Sequence, residues 1–478
     1  MTGSPSVAIV GAGLTGCLLA CYLARRGERV IVYERRADPR LTGPEQGRSI
    51  NLALSERGIS ALRGIGLEGT VLADALPMRG RMIHPVAGEL DFQPYSAEGT
   101  LAINSISRGA LNNALLTAAH SQPDVEIRFA HRLDRFDPVS GELRFATPGG
   151  VRTSSAPVVI GADGAGSAVR GELVRHGLSA ETVDVLDYGY KELSVPAGPR
   201  GFVMDPGALH IWPRGRSMMI ALPNPDHSFT CTLFWPDSGT GSFAALDTPA
   251  AVRAYFREHY PDVEPHLSEL VTDYQRNPVG VLGTVRCAPW HATLPGGRVA
   301  GLLGDAAHAI VPFYGQGANC AFEDVVVLTE CLDTANGDWQ AALALFERRR
   351  ADTEAIASMA LANFAEMRDK VASPLFKLGK TIEHTLERAL PGRYVSRYEL
   401  VSFSTVPYAA VRRRVRRQHQ LLGGLGLLGA LSVLGAAGAL AVRARCRHPH
   451  SGRRVLRPGR RDAHSGQRDA HSGARGAH

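Results

Sequence analysis

Three glycines near the start of the chain have the spacing of a loop that holds a dinucleotide. Gly11, Gly13 and Gly16 follow an apolar run at 7–10 and open a helical pattern. In such a loop the first glycine permits a tight turn, the second lets a pyrophosphate approach the backbone, and the third lets helix and strand pack closely. Glu34 ends the next apolar run, where its carboxylate can accept hydrogen bonds from an adenosine ribose. The pattern predicts a site for FAD or NAD and disfavours NADP, because Glu34 would repel a 2′-phosphate.

A second turn follows the apolar run at 158–160. Asp163 and Gly164 form this turn, and Ser167 and Arg170 open the helical pattern after it. A hairpin is the alternative interpretation, since Asp-Gly is a common hairpin dipeptide. A helix start rather than a second strand comes next, so the pattern favours a strand–turn–helix unit.

A third segment begins with Gly304 and Asp305, which end another apolar run. There the Asp305 carboxylate can reach a ribityl hydroxyl. Residues 315–319 bring backbone N–H groups to a helix start, and such a start stabilises negative charge on an isoalloxazine ring. His308 is interpreted as a structural histidine, because no His or Cys stands at ligand spacing nearby, and no metal site is predicted.

In this order, the three segments resemble the flavoprotein aromatic-ring hydroxylases of the para-hydroxybenzoate hydroxylase type. Further stretches resemble one family among them, the kynurenine 3-monooxygenases: 48–58, 78–84, 93–95, 106–112, 188–193, 209–215, 311–317, 363–368 and 398–404. The resemblance covers about residues 5–410. Tyr314 and Ala318 differ from the residues often found in that family.

The resemblance implies an α/β fold with a Rossmann-like FAD-binding domain, an inserted mixed-sheet substrate domain and a C-terminal helical cap. The predicted FAD-binding domain comprises 1–75, 100–182 and 283–335. The substrate-domain sheet comprises 76–99 and 183–282, and the cap comprises 336–410.

The resemblance also implies the chemistry. FAD is the expected cofactor and NADPH the co-substrate, and O₂ added at flavin C4a forms a hydroperoxide that hydroxylates L-kynurenine at C3. No side chain is expected to act as a catalytic acid, base or nucleophile. The expected cofactor contacts are Gly11, Gly13, Gly16, Glu34, Asn51, Arg108, Asp163, Gly304, Asp305, Pro312, Gly315, Gly317, Ala318 and Asn319.

Four residues fall on the positions that hold the amino-acid end of kynurenine in that family: Arg81, Tyr95, Asn363 and Tyr398. Phe313 and Gln316 are expected to line the pocket beside the flavin. An α-carboxylate favours a bidentate guanidinium with hydroxyl or amide donors, which agrees with these residue types. From the residues alone, Arg81 would be a solvated strand arginine, and Tyr95 could equally be a half-buried sheet aromatic.

Three other functions remain open from the sequence. One is hydroxylation of a different aromatic ring, and the second is a membrane-surface flavoprotein reductase that inserts no oxygen. An apolar pocket would suit the reductase, and Arg81 with Tyr95 argues against it. The third, a non-catalytic flavin-binding scaffold, is disfavoured because all three nucleotide-binding segments are intact.

The charge distribution separates the C-terminal end from the rest of this 478-residue chain. Residues 412–478 carry a net charge of +13, whereas the preceding 411 residues carry −6, within a total of +7. The acidic body excludes a generally basic nucleic-acid-binding protein. The seven cysteines are scattered without a CxxC pair, and no secretory signal pattern precedes the first strand, so a cytoplasmic location is expected.

The cluster at 412–417 precedes 22 uncharged residues at 421–442, eight of them Leu and six Gly. Such a stretch is long enough to span a bilayer as a helix, although the glycines weaken helix formation. Membrane association through 411–442 is therefore predicted, with docking on an apolar face or disorder as the alternatives. The repetitive tail at 443–478 is expected to be disordered.

Overall fold

The computed structural model describes residues 6–42, 51–371 and 373–421 of the chain. The strands of these ranges are, in chain order, β1 (Val7–Val10), β2 (Val30–Tyr33), β3 (Asn51–Leu54), β4 (Leu76–Met78), β5 (Gly80–Ile83), β6 (Asp91–Pro94), β7 (Ile103–Ser107), β8 (Val125–Arg128), β9 (Arg132–Asp137), β10 (Glu142–Thr147), β11 (Gly150–Ser155), β12 (Val158–Gly161), β13 (Ala180–Val195), β14 (Ala208–Arg214), β15 (Ser217–Pro223), β16 (Phe229–Pro236), β17 (Gly280–Ala288), β18 (His291–Leu294) and β19 (Arg298–Leu302).

The α-helices of the same ranges are α1 (Leu14–Ala24), α2 (Pro39–Thr42), α3 (Glu56–Gly64), α4 (Glu68–Ala73), α5 (Arg108–His120), α6 (Ala168–Arg175), α7 (Pro249–His259), α8 (Leu270–Arg276), α9 (Asp305–His308), α10 (Gly317–Thr334), α11 (Trp339–Arg350), α12 (Thr353–Asp369), α13 (Pro374–Ala389) and α14 (Arg397–Ser402). Residues 408–421 are also helical. Short 3-10 helices lie at Glu264–His266, Pro295–Gly297 and Pro312–Tyr314.

The first sheet is mostly parallel and has the strand order β18-β19-β12-β1-β2-β8. Its central strands are continuous apolar runs, buried along their whole length, as expected for a parallel sheet covered on both faces. Helix α1 packs against both α5 and α10 beside it. The carboxyl ends of β1, β12 and β19 lead into the three motifs found in the sequence, so the sheet brings these motifs to one edge.

The second sheet is mixed and has the order β17-β13-β16-β15-β14-β5-β6. Only the β14–β5 pair is parallel within this sheet. Trp212 and Met219 point to a core completed by α7 and α8. Ile211 and Met218 point to the opposite core, which α12 completes. Because neighbours alternate along a strand, one face of this sheet is turned toward α12 and the loop before α10.

Two three-stranded sheets complete the described fold, with the orders β3-β7-β4 and β11-β10-β9. The predicted substrate-domain segments contain β5, β6 and β14 to β16, whereas β4 pairs with β7 in the β3 sheet. Strands β13 and β17 cross the predicted boundaries at 182 and 282. The exact division into domains stays a prediction, since the described residues up to Arg417 form one compact unit.

The predicted cap region contains α11 to α14, and α12 packs on the 3-10 helix at Pro312–Tyr314. Within the described part of the chain, no helix is long and apolar enough to cross a membrane. The predicted membrane helix, apart from Leu421, and the tail at 443–478 lie outside the described residues.

Candidate active site

The loop between β1 and α1 is shaped by two of its three glycines. Gly11 has a φ of +106°, and a Cβ there would lie 2.5 Å from the carbonyl oxygen of Ala162. A Cβ on Gly16 would lie 1.9 Å from the carbonyl oxygen of Gly11. A Cβ on Gly13 would meet no heavy atom of the described chain within 4 Å, so this side of the loop is open to a ligand.

Helix α1 begins at Leu14 with Gly13 as its N-cap and without a side-chain cap. The first N–H groups of a helix have no partner inside the helix, and together with its dipole they favour a phosphate group. The open loop and the uncapped helix therefore fit the pyrophosphate of a dinucleotide.

Glu34 lies at the end of β2 and is buried. One of its carboxylate oxygens accepts a hydrogen bond from the backbone N–H of Ala12 at 3.0 Å, and the other accepts from the Arg36 side chain at 2.8 Å. Burial alone would raise the pKa of Glu34, but the bonds from Arg36 and Ala12 outweigh it and lower the pKa. The carboxylate is thus held ionised beside the glycine loop, with one oxygen accepting from Ala12 and the other accepting from both the backbone N–H and the side chain of Arg36.

Asp163 caps the start of α6. Its carboxylate accepts hydrogen bonds from the Ser167 hydroxyl at 2.5 Å and from the Ala168 N–H at 2.7 Å. Arg170 donates to Glu181 at 2.5 Å and to the Ala306 carbonyl at 2.9 Å. The second motif therefore connects the turn after β12 to the start of α9, and its predicted contact with a cofactor stays a prediction.

Arg108 and Asp305 lie close enough to interact electrostatically, at the starts of α5 and α9. The protein packed around Asp305 raises its pKa although its side chain stays accessible to solvent, and the charge of Arg108 opposes that shift. Within the described residues, neither side chain makes a hydrogen bond or ion pair to another group of the protein. A cation and a carboxyl without fixed partners suit the phosphate and hydroxyl groups of FAD.

Gly304, which precedes Asp305, has a φ of +58°, and a Cβ there would lie 2.9 Å from the Thr15 hydroxyl. Its N–H donates to Asp324 at 3.0 Å. The turn that presents Asp305 is thus closely packed against α1 and tied to α10.

The loop from Pro312 to Gly315 leads into α10. Gly315 has a φ of +64°, and α10 begins at Gly317 without a side-chain cap on its N-terminus. Asn319 fixes this loop, since its amide donates to the carbonyls of Gly315 at 2.7 Å and Ala53 at 2.9 Å. Ala318 lies in the same first turn. The uncapped N-terminus fits the negative charge of a reduced flavin ring.

One predicted cofactor contact, Asn51, and one predicted pocket residue, Gln316, have side chains that make hydrogen bonds inside the protein. The Asn51 amide donates to Asn224 at 2.6 Å and to the Pro223 carbonyl at 3.2 Å. The side-chain amide oxygen of Gln316 accepts from the Tyr408 hydroxyl at 3.2 Å. The side chains of Asn51 and Gln316 therefore join elements of the fold.

His308 belongs to a buried ion-pair network. It lies 2.6 Å from Asp324, and their ligand atoms lie with that of Cys320 within 4.8 Å of one another. Arg350 donates to Asp324 at 2.7 Å and to the Cys320 sulfur at 3.0 Å. A guanidinium in contact with two of these three groups disfavours a metal cation, which supports the structural interpretation of His308.

A second group of predicted residues lies at the β5–β6 edge of the mixed sheet. The Arg81 guanidinium lies over the ring of Tyr398 at 4.4 Å and over the ring of Tyr95 at 5.4 Å. The two rings are stacked at 4.7 Å. Arg81 is 8% exposed, and no carboxylate of the described chain lies within 4.0 Å of its guanidinium. Among the described residues the Tyr95 hydroxyl is buried with no hydrogen-bond partner within 3.5 Å, and burial raises its pKa, with the adjacent Tyr398 adding to this shift and Arg81 opposing it.

Asn363 lies on α12, and its amide donates to the carbonyl of Phe313 at 2.6 Å. The Phe313 ring stacks on Phe364 at 3.8 Å and meets the edge of Phe234 at 5.1 Å. The structure thus brings Arg81, Tyr95 and Tyr398 into mutual contact and places Asn363 against the loop before α10. The roles of these residues as a substrate site stay predictions.

Sequence reasoning missed other residues of this region. Tyr314 stacks on Tyr398 at 5.7 Å, and burial raises its pKa to about 12. Gln93 pairs with Arg81 across β5 and β6. The position of Gln93 two residues before Tyr95, at the end of β6, was the available signal for Gln93, because residues two apart in an extended segment share a face.

The first half of the chain matches a family of FAD-binding proteins. The model of the family described as the FAD binding domain matches residues 4–240. Kynurenine 3-monooxygenase of Myxococcus xanthus (strain DK1622) is 51% identical over 407 residues, which cover 84% of this chain and 87% of that protein. Kynurenine 3-monooxygenase of Salinispora arenicola (strain CNS-205) is 46% identical, with 92% of this chain and 98% of that protein covered.

Solved structures share the fold at low sequence identity. The 2-methyl-3-hydroxypyridine-5-carboxylic acid oxygenase superposes with a TM-score of 0.62 at 21% identity, covering 79% of this chain and 96% of that one. PqsL of Pseudomonas aeruginosa, in complex with 2-aminobenzoylacetate, superposes with a TM-score of 0.63 at 22% identity, covering 77% and 97%. The predicted fold class and the FAD cofactor are confirmed. The chain belongs to the kynurenine 3-monooxygenase family of FAD-dependent monooxygenases.

Proposed function

We propose that the chain hydroxylates L-kynurenine at C3 to give 3-hydroxykynurenine, and that it consumes NADPH and O₂ in the reaction. The observation that carries the proposal is the buried Arg81 guanidinium without a carboxylate partner in the described chain. Glu366 acts on Arg81 only at longer range, and a buried charge without a carboxylate in contact is costly, so such a position is suited to an anionic ligand. The α-carboxylate of kynurenine is such an anion, and similarity to the enzymes named above supports this substrate.

Bound FAD supplies the redox chemistry, since its reduction by NADPH allows one atom of O₂ to be transferred to an electron-rich ring. The residues that would hold it are the glycine loop at 11–16, Arg108, Asp305 and the N-terminus of α10. The two uncapped helices favour its phosphates and its flavin ring. Kynurenine needs no strong protein base, because its ortho-amino group already activates C3.

The protein's part in the reaction is to orient the substrate and to exclude water. Arg81 would hold the carboxylate, and the Tyr95 and Tyr398 hydroxyls lie in the same cluster to donate to it. Phe313, Phe364 and Phe234 form an apolar wall along the loop that leads into α10. Such a wall keeps water from the reacting ring, which matters because water diverts the reduced cofactor into peroxide release.

The test is NADPH oxidation by the FAD-containing enzyme with L-kynurenine, with other aromatic acids and with no substrate, combined with an assay for 3-hydroxykynurenine. The expected result is fast NADPH oxidation with L-kynurenine and a matching amount of 3-hydroxykynurenine. Oxidation that another aromatic acid stimulates equally, with no kynurenine product, would refute the proposal. The predicted membrane association of 411–442 stays a prediction.

A further inference from the structure

Gln93 lies directly opposite Arg81 in the antiparallel pair of β6 and β5. Side chains of directly opposed residues share one face and lie close together. Arg81, Gln93, Tyr95 and Tyr398 line one cavity of about 170 Å³ between this sheet edge and α13. Gln93 is therefore placed to contact any molecule that Arg81 holds in this cavity.

The orientation of the Gln93 amide follows from its neighbours. Its NH₂ group donates to the Asp91 carboxylate at 2.8 Å and to the Val371 carbonyl at 3.3 Å. Both of these groups accept hydrogen bonds and cannot donate them, so the amide oxygen must point the other way. That oxygen is buried and has no donor among the described residues. A buried acceptor without a donor is unfavourable, and a ligand N–H would satisfy it.

The carboxylates that line the cavity are already paired with cations. Asp91 lies 3.1 Å from the Lys377 ammonium, and Glu383 lies 2.5 Å from the Lys380 ammonium. The hydrogen bond from Gln93 to the negatively charged Asp91 also polarises the amide and strengthens its oxygen as an acceptor. Unlike these two carboxylates, the Gln93 amide oxygen is an acceptor that is not paired with a cation of the protein.

The residues that line the cavity accordingly include a buried cation, and a tyrosine hydroxyl and an amide oxygen that have no hydrogen-bond partner among the described residues. An α-amino acid zwitterion has the matching groups, since its carboxylate accepts from Arg81 and Tyr95 while its ammonium donates. We propose that the Gln93 amide oxygen binds the α-ammonium group of the substrate and that Asp91 positions the amide. The proposal rests on the proposed function and adds a residue that distinguishes an amino acid from the corresponding acid.

The experiment compares two ligands that differ only in the α-amino group: L-kynurenine and its desamino analogue, 4-(2-aminophenyl)-4-oxobutanoic acid. The Kd of each is measured by its perturbation of the flavin absorbance of the FAD-containing enzyme. The variants are Gln93→Met, which keeps the side-chain length, and Gln340→Met. Gln340 is exposed on α11 and serves as the matched control.

For Gln93→Met we expect the Kd of L-kynurenine to rise about 10- to 100-fold, the range for a charge-assisted hydrogen bond. The Kd of the desamino analogue should change less than about twofold, so the variant loses the preference for the amino acid. Gln340→Met should bind both ligands as the wild type does.

The proposal is overturned if Gln93→Met weakens both ligands equally, or if Asn363→Leu abolishes the preference while Gln93→Met keeps it. A wild-type enzyme that binds both ligands with the same Kd overturns it too, whether or not the variants fold. A wild-type enzyme that binds the analogue but not L-kynurenine overturns the proposed function together with this assignment. Tight binding of L-kynurenine by both wild type and Gln93→Met overturns the Gln93 assignment alone.

Discussion

Two buried arginines of this protein should respond in opposite ways to the same substitution. Arg57 is 1% exposed and fully engaged, since it donates to Glu323 at 2.5 Å, to the Val401 carbonyl at 3.2 Å and to the Val406 carbonyl. Arg81 is 8% exposed and has no carboxylate within 4.0 Å in the described chain. We predict that Arg57→Met costs stability, whereas Arg81→Met costs substrate binding.

The stability terms can be estimated for each arginine. Removing one member of a buried ion pair costs about 3–5 kcal/mol. With an unfolding entropy of about 2.1 cal/mol/K per residue, the compact unit that ends at Arg417 should lose roughly 3–6 °C in Tm for Arg57→Met. Arg81→Met loses two cation–π contacts of about 0.5–2 kcal/mol each, but it also removes a desolvation penalty of several kcal/mol. The Tm of Arg81→Met should therefore stay within about 2 °C of wild type or rise.

For substrate binding, Arg81→Met should have the larger effect. Truncating a buried charge that pairs with a ligand charge costs about 2–5 kcal/mol, which corresponds to a rise in KM for L-kynurenine of roughly 30- to 5000-fold. Arg57 is paired with Glu323 on α10 and lies over the Tyr408 ring at 4.0 Å, and it is not one of the predicted substrate contacts, so its loss should leave KM within about threefold in the folded enzyme.

Thermal unfolding of the two FAD-containing variants, together with their KM for L-kynurenine and their FAD content, tests the prediction. FAD should be retained in Arg81→Met, because the predicted contacts of FAD lie at a different sheet from the mixed sheet that carries Arg81. A fall of 5 °C or more in the Tm of Arg81→Met, with KM unchanged, would show that Arg81 is structural and would refute the reasoning.

Two further predictions concern the cofactor loop and a buried carboxylate. Gly13→Ala should leave the Tm of the apoprotein unchanged while weakening FAD binding, whereas Gly16→Ala should destabilise the apoprotein itself, because its Cβ would lie 1.9 Å from the Gly11 carbonyl; equal Tm values for the two apoproteins would contradict this. Burial alone would raise the pKa of Asp324, but the charges of His308 and Arg350 outweigh it and lower the pKa below its ordinary value of 3.8. Its ionised form therefore stabilises the fold above that value, and this contribution is lost as the pH falls through the lowered pKa. Asp324→Asn should lower the Tm at neutral pH, and the Tm of the variant should fall less than that of the wild type between about pH 5 and about pH 3. Circular dichroism melts measure both effects. The same pH dependence of Tm in variant and wild type would count against the prediction.

The sequence predicted those parts of the site that depend on the backbone. A strand, a tight turn and a helix start constrain residues only a few positions apart, so the spacing of Gly11, Gly13 and Gly16 was sufficient to predict the loop. The same reasoning predicted the α/β fold class. The glycines at 304 and 315 also have the positive φ that a side chain would disfavour.

Side-chain partners far apart in sequence were not predictable in the same way. Asn51 and Asn224 are separated by 173 positions, and their hydrogen bond depends on how β3 meets the end of β15. The same holds for Gln316, whose partner Tyr408 lies 92 positions away. A polar side chain near a cofactor loop has the same sequence signature whether it points to the ligand or to another strand. Only the fold decides between them.

The longest-range hydrogen bonds of the described residues connect Arg57 on α3 to the C-terminal segment, and Arg57 is also paired with α10. Arg57 donates to the Val401 and Val406 carbonyls and to Glu323 on α10, whose other carboxylate oxygen accepts from Arg350 at 2.7 Å. Arg350 in turn donates to Asp324, which accepts from the Gly304 N–H before Asp305. Because each buried charge in this chain of contacts needs its partners, the segment after α14 cannot shift without leaving one of them unpaired. The C-terminal cap is thus part of the structure that holds the two loops proposed to bind FAD.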